Sequence, residues 1–332
     1  MKGKSFVKIA VVHDYADAFR RTPAFARLAG HEVVVCTEAN PDPAHLVRAA
    51  GGCTALVLTQ QRVALTRAMV AQLPDLRFIA QTGRNTDHLD LEACTDRGIV
   101  VSVGRRSSSG PYSTTAELAW ALILASLRHL PLEVERLRTG HWQATTGTRL
   151  FGRTLGVYAF GNIGAAVARV GRAFGMEVVC WGREASLARA RGEGFAVASC
   201  REAFFAGADV LSLHLPLQPA TRGLVTAADL ALMKPDALLV NTSRAGIIEG
   251  GALAAALQRG RPGFAAVDVY EEEPVIGAAH PLLGLPNVLC TPHLGYAEQG
   301  TLEALYAVAV EQLLAFAAGA PCDVANPGAA GR

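Results

Sequence analysis

Short apolar runs rich in β-branched residues recur at positions 7–12, 32–36, 55–59, 77–81 and 99–101, and each predicts a strand. Stretches with helical spacing, 23–29, 43–50, 66–73 and 90–96, lie between them. Such alternation builds βαβ units and a parallel sheet. A glycine- and serine-rich break, Gly104-Arg105-Arg106-Ser107-Ser108-Ser109-Gly110-Pro111, interrupts the pattern. A long apolar helix is predicted over about 115–129 and a second over 132–138. From Thr154 the alternation resumes, with strands predicted at 155–160, 177–181, 209–215, 237–241, 264–269 and 288–291. Leu238-Leu239-Val240 is apolar at every position, as expected of a strand covered on both faces. A last helix over 297–318 returns to the first part of the fold. The pattern predicts an α/β protein in which a second doubly wound parallel-sheet domain is inserted into a discontinuous first one. No repeat of solenoid period is visible.

Length and composition agree with two domains: 332 residues, 51% hydrophobic and 18% charged. The 31 basic and 29 acidic residues leave a net charge of +2, with no polybasic block, so neither nucleic acid nor a membrane surface is an expected partner. The apolar runs look too short and interrupted to span a bilayer. Residues 1–12 lack the long apolar region and cleavage site of a secretory signal. Seven cysteines (Cys36, Cys53, Cys94, Cys180, Cys200, Cys290 and Cys322) are odd in number, widely spaced and without a C-x-x-C pair. Buried thiols in a reducing cytoplasm are expected, not a disulfide framework or a metal site.

The most informative local pattern opens the second domain. Thr154-Leu155-Gly156-Val157-Tyr158-Ala159-Phe160-Gly161-Asn162-Ile163-Gly164 reads strand, tight turn, helix. It approximates the G-x-G-x-x-G fingerprint of a dinucleotide site, with Ala159 in place of the first glycine. In that fingerprint Gly161 admits the pyrophosphate and Gly164 lets helix and strand pack closely, while N–H groups at the helix start hold the anion. The next strand ends in Gly182-Arg183-Glu184, without the carboxylate that usually bonds the adenosine ribose. Its absence removes repulsion against a 2′-phosphate, and Arg183 is placed to pair with one. NAD or NADP is therefore expected, with a slight lean to NADP; the alternative is a solvated Arg183 with Glu184 on the ribose.

From about Leu155 to His293 the chain resembles the D-isomer-specific 2-hydroxyacid dehydrogenase family. The resemblance rests on Gly161-Asn162-Ile163-Gly164, Phe174-Gly175-Met176, Asp209-Val210-Leu211-Ser212-Leu213-His214-Leu215-Pro216, Leu232-Met233-Lys234-Pro235, Asn241-Thr242-Ser243-Arg244-Ala245-Gly246, Asp268-Val269-Tyr270-Glu271-Glu272-Glu273-Pro274 and Thr291-Pro292-His293-Leu294-Gly295, in family order. It implies a Rossmann-type dinucleotide-binding domain (109–299) inserted in a flavodoxin-like substrate domain (1–108 plus 300–332). It also implies hydride transfer between a nicotinamide and C2 of a small 2-hydroxy or 2-oxo acid. The implied catalytic trio is Arg244, Glu273 and His293. Histidine suits proton transfer in both directions, a paired glutamate fixes its tautomer and stabilises the imidazolium, and an arginine fork grips a carboxylate. Gly161, Asn162, Ile163, Gly164, Arg183, His214, Pro216, Thr242, Ser243, Asp268 and Gly295 are implied cofactor contacts.

The substrate loop departs from the family's pattern. Gly83-Arg84-Asn85-Thr86-Asp87 has Asn85 where a glycine is common, which a positive φ would tolerate. Gly83, Arg84 and Asn85 are the implied substrate contacts, and the identity of the acid is left open. Other histidines lack an acidic partner at a suggestive spacing, and His280 precedes Pro281 in a loop. The break at 104–111 and the region 295–300 are expected hinges for domain closure, and the helix over 115–129 is the expected homodimer element. The chain is too short for a regulatory domain after its last helix. A catalytically silent NAD(H) sensor of the corepressor type is the alternative function; the intact trio favours the enzyme.

Overall fold

Every apolar run read as a strand pairs in parallel with a neighbour, so each sheet is covered on both faces. The computed structural model describes residues 6–40, 42–105 and 114–329. The chain divides into two units, Met1–Ser108 with Ala297–Arg332, and Ser109–Tyr296.

In the first unit the elements run β1 (Lys8–Val12), α1 (Ala18–Arg21), β2 (Glu32–Val35), α2 (Pro43–Ala49), β3 (Ala55–Leu58), α3 (Arg67–Ala71), β4 (Phe78–Gln81), α4 (Leu91–Asp96) and β5 (Val100–Val103). The sheet order is β2-β1-β3-β4-β5. Asp42, Thr66 and Asp90 accept N–H groups at the starts of α2, α3 and α4, which is why those helices begin where they do.

In the second unit they run α5 (Thr114–Leu127), α6 (Leu130–Arg138), β6 (Thr154–Tyr158), α7 (Asn162–Ala173), β7 (Glu177–Trp181), α8 (Glu184–Gly192), β8 (Ala196–Val197), α9 (Arg201–Gly207), β9 (Val210–Leu213), α10 (Ala227–Leu232), β10 (Leu238–Asn241), α11 (Ala252–Gln258), β11 (Phe264–Val267) and β12 (Val288–Cys290). The order is β12-β11-β10-β9-β6-β7-β8. β8 is too short to leave a pattern in the sequence. The chain winds outward from β6 in both directions, so the switch point lies between β6 and β9, where α/β sheets place ligands. α5 is a core helix of this unit: Ala119 and Ile123 are buried and Trp120 Nε1 donates to the Val167 carbonyl at 3.2 Å. α6, by contrast, buries no residue and exposes Leu130, Leu132, Val134 and Leu137.

α12 (Gln299–Ala317) belongs to the first unit. By length and composition alone it is apolar enough to cross a membrane. Its packing explains that composition. Tyr306, Val310 and Leu313 are buried, and the Tyr306 hydroxyl meets Thr59 Oγ1 at 3.1 Å. Phe316 stacks on Phe78 of β4 at 4.6 Å, and the buried Gln312 Nε2 donates to the Val103 carbonyl at 2.8 Å. The segment after α12 closes on the edge strand β5. Asn326 Oδ1 accepts the Val101 N–H at 2.8 Å, and its Nδ2 donates to the Ile99 carbonyl at 2.9 Å and to Thr95 Oγ1 at 3.1 Å.

Removing that amide strands a buried N–H and carbonyl. Asn326→Ala is expected to lower the unfolding free energy by about 2 kcal/mol or more. Urea denaturation checks this; a midpoint equal to the parent's removes the clasp from the stability of the unit.

Candidate active site

The turn after β6 shows which glycines the protein needs for itself. Ala159, in place of the fingerprint's first glycine, takes the left-handed conformation that glycine would supply (φ 72°) and donates its N–H to the Trp181 carbonyl at 2.7 Å. An alanine there costs about 1–2 kcal/mol. A Cβ on Gly164 would lie 2.2 Å from the Ala159 carbonyl oxygen, so only glycine fits. A Cβ on Gly161 would meet nothing within 4 Å. Folding therefore does not demand Gly161; it leaves an open cradle at the N-terminus of α7, where Asn162 and Ile163 begin the helix and its first N–H groups lack intrahelical partners.

Beside this turn, β7 pairs Trp181 with Tyr158, and Arg183 stands exposed at the cap of α8. Glu184 is engaged with Arg191 at 2.6 Å. Past β9, the His214 N–H donates to the Tyr158 carbonyl at 3.0 Å, with Pro216 two residues on. His214 Nε2 and Thr242 Oγ1 are buried and find no hydrogen-bond partner among the described residues. Burial pushes the His214 imidazole down to about 4, so the ring is neutral at ordinary pH. Ser243 Oγ donates to the Leu213 carbonyl at 3.1 Å, joining the ends of β9 and β10. An open glycine cradle at a helix start and two orphaned buried polar atoms beyond adjacent strands fit a dinucleotide.

The sequence trio converges on one edge of the second sheet. Asn241, Val267 and Cys290 are register partners across β10, β11 and β12, and Arg244, Glu273 and His293 follow them. His293 Nδ1 meets Glu273 Oε2 at 2.5 Å, both side chains about two-thirds buried. Burial by itself raises the Glu273 carboxyl. The bond to His293, the imidazole's charge, the Tyr270 N–H and Arg244 outweigh it and hold the group below its ordinary value, so Glu273 is ionised. The exposed Arg244 donates to the Ser243 carbonyl at 2.7 Å. His293 itself has positive φ (53°), a conformation that persists only when its surroundings impose it.

Asp268 does the imposing. Its buried carboxylate accepts Thr291 Oγ1 at 2.6 Å, the Leu294 N–H at 2.7 Å and the Gly295 N–H at 2.8 Å. Tyr270 adds a bond from its hydroxyl to the Thr291 carbonyl at 2.9 Å. Asp268 and Gly295, implied as cofactor contacts, thus have their polar groups turned on the loop that bears His293. Gly295 also accepts the Thr114 and Thr115 hydroxyls at its carbonyl.

In the first unit, Gly83 follows β4, and Arg84 and Asn85 are exposed. Asn85 does not adopt the positive φ that its replacement of glycine suggested. Its side chain instead closes a turn on Asp87, accepting that N–H at 2.7 Å and donating to its carboxylate at 2.9 Å. Two histidine–carboxylate pairs escaped the sequence reading: His45 with Glu38 and His280 with Glu271, each at 2.9 Å. Seven residues is two helical turns, but Glu38 lies before α2 begins, and the nine residues from Glu271 to His280 cross an irregular stretch, so only the folded chain reveals the pairs. Of the expected hinge at 104–111, residues 106–111 lie outside the described residues.

The chain is similar to known proteins over most of its length. Residues 120–295 match the family model described as D-isomer specific 2-hydroxyacid dehydrogenase, NAD binding domain. A glyoxylate reductase from Aeropyrum pernix is 39% identical over 76% of this chain and 76% of that protein. A D-3-phosphoglycerate dehydrogenase from Methanocaldococcus jannaschii is 35% identical over 75% of this chain, which spans about half the length of that relative (47%). The crystal structure of a phosphoglycerate oxidoreductase from Vibrio cholerae superposes with a TM-score of 0.90 at 45% identity, covering 95% of this chain and 100% of that one.

The two glycines are expected to separate folding from binding. Gly161→Ala should cost about 1 kcal/mol or less of stability, as a poorer helix cap, yet weaken NAD(P)H binding measured by fluorescence titration. Gly164→Ala should lower the melting temperature markedly. Unchanged nucleotide affinity in the folded Gly161 variant would remove that turn from the cofactor site.

Proposed function

Because the chain belongs to the D-isomer specific 2-hydroxyacid dehydrogenase family, we propose that it is a 2-oxoacid reductase in which Arg244, Glu273 and His293 act directly. The observation that carries this reading is the 2.5 Å His293–Glu273 pair, set beyond the same strand ends as Arg244. His293, protonated and held by the ionised Glu273, gives a proton to the carbonyl oxygen at C2 and takes it back in the oxidative direction. Arg244 grips the substrate carboxylate and polarises that carbonyl. A bound nicotinamide supplies or receives the hydride at C2. The intact pair supports turnover over a silent nucleotide sensor.

The residues proposed to hold the dinucleotide are Gly161, Asn162, Ile163 and Gly164 at the turn, His214 and Pro216 past β9, and Thr242 and Ser243 past β10. Asp268 and Gly295 act on it through the loop they fix. An exposed Arg183 with no acidic residue at the end of β7, and a Glu184 occupied by Arg191, favour NADP over NAD. The assigned division is a nucleotide domain over 109–299 and a substrate domain over 1–108 and 300–332. Gly83, Arg84 and Asn85 are proposed contacts to a small 2-oxo or 2-hydroxy acid, and a cytoplasmic location suits seven unpaired thiols.

We also propose a homodimer through α6. Leu130 and Val134 are each 48% exposed and Leu137 59%, and their i, i+4, i+7 spacing sets them on one face of α6, a stripe too apolar to leave in water. This moves the predicted dimer element from the preceding helix to this one.

Assay of NADPH and NADH oxidation with glyoxylate, hydroxypyruvate, pyruvate and longer 2-oxo acids is the direct test. At least one acid should be reduced, with a higher kcat/KM for NADPH than for NADH. His293→Ala should lower kcat by about 100-fold or more. Inactivity with every acid, or an unaffected His293 variant, sinks the assignment; clear NADH preference sinks the role of Arg183. In sedimentation equilibrium the protein should behave as twice 34.8 kDa, and Val134→Glu with Leu137→Glu should yield monomer. A monomeric parent overturns the dimer.

A further inference from the structure

The segment that carries Glu273 is held by a second imidazole–carboxylate pair. Two residues before Glu273, Glu271 Oε2 meets His280 Nε2 at 2.9 Å. The His280 side chain is 14% exposed and the Glu271 side chain 54%, so the contact is sheltered on the histidine side and open to solvent on the carboxylate side. His280 Nδ1 accepts the Leu282 N–H at 3.3 Å, which leaves the ring proton of the neutral form on Nε2, aimed at Glu271. The imidazole also lies edge-on to the Tyr270 ring, with centroids 5.0 Å apart.

What the pair restrains follows from its neighbours. Tyr270 bonds forward, its N–H to Glu273 Oε1 at 2.9 Å and its hydroxyl to the Thr291 carbonyl. Glu273 then reaches His293. On the opposite flank, a cavity of about 250 Å³ opens beside Glu271 and His280, walled by Ile248, Leu253, Val267 and Leu282. Close packing therefore does not brace that flank, and the hydrogen bond between His280 and Glu271 is a polar tie across it. The charged and titratable groups facing Glu273 are His293, Arg244 and Tyr270; those facing His280 are Glu271 and Tyr270.

We propose that His280 and Glu271 are positioning residues: their pair clamps residues 270–273 and so keeps Glu273 on His293. The idea rests on the reductase reading and extends it to residues that touch neither substrate nor cofactor. A loosened clamp lets the carboxylate drift, and a displacement of an ångström at a proton-transferring pair is costly.

The test compares Glu271→Ala with Glu271→Gln, whose amide oxygen still accepts from Nε2. The His293 ring resonance in histidine-labelled protein is followed against pH, and kcat and KM are measured with an acid the parent reduces. In Glu271→Ala the His293 titration midpoint should fall by about half a pH unit or more, because the imidazolium loses a close carboxylate. Its kcat should fall about 10-fold, with the nucleotide KM nearly unchanged. Glu271→Gln should retain parental values in both. The proposal is overturned if the alanine variant leaves the His293 midpoint unmoved, even with a lower melting temperature, or if the glutamine variant fails equally. The resonance needs no substrate, so a parent inactive on every acid would sink the reductase reading while this result stood independently.

Discussion

A single buried carboxylate determines whether the second unit has a working edge. Asp268 ends β11 and accepts three hydrogen bonds from the segment after β12. That segment has no regular hydrogen-bonded ladder, and its histidine sits in a backbone conformation that costs free energy. Charge-assisted bonds to a buried acceptor are strong enough to impose such a shape. Burial pushes the Asp268 carboxyl up while the three donors pull it down, and the balance leaves it above its ordinary value.

The same economy of parts recurs along the edge. Ser243 ties β9 to β10, Asp268 ties β11 to the stretch after β12, and Tyr270 bonds to both Glu273 and Thr291. Each strand end is fixed to its neighbour's loop, so the chemistry-bearing side chains inherit the sheet's rigidity. Loops at this edge then need little packing of their own.

Much of this was legible from residue order. Leu238-Leu239-Val240 announced a strand covered on both faces, and every strand run proved real because runs of that kind have few stable alternatives to a parallel sheet. The turn after β6 was visible even with its first glycine missing, since Gly161 and Gly164 stand at the right spacing. Its conformation was not: nothing in an alanine announces φ 72°. Asn85 misled in the opposite sense, because a residue able to take positive φ chose a side-chain turn with Asp87 instead. α12 was legible as a helix returning to the first unit, although its composition alone does not say what buries it, since a core and a lipid bilayer call for the same residues. The His280–Glu271 pair was invisible because contact across an irregular turn leaves no period to detect.

The division of the first unit between the two ends of the chain sets an order of assembly. On the ribosome, residues 109–296 emerge whole and can close their sheet while synthesis continues. The strands β1 to β5, made earlier, must wait: Phe78 has no Phe316 to stack on, Thr59 no Tyr306, and Val101 no Asn326 until the last stretch is translated. The strands β1 to β5 therefore mature after a unit that is translated later than they are, and until α12 emerges they stand open to chaperones or to neighbouring nascent chains.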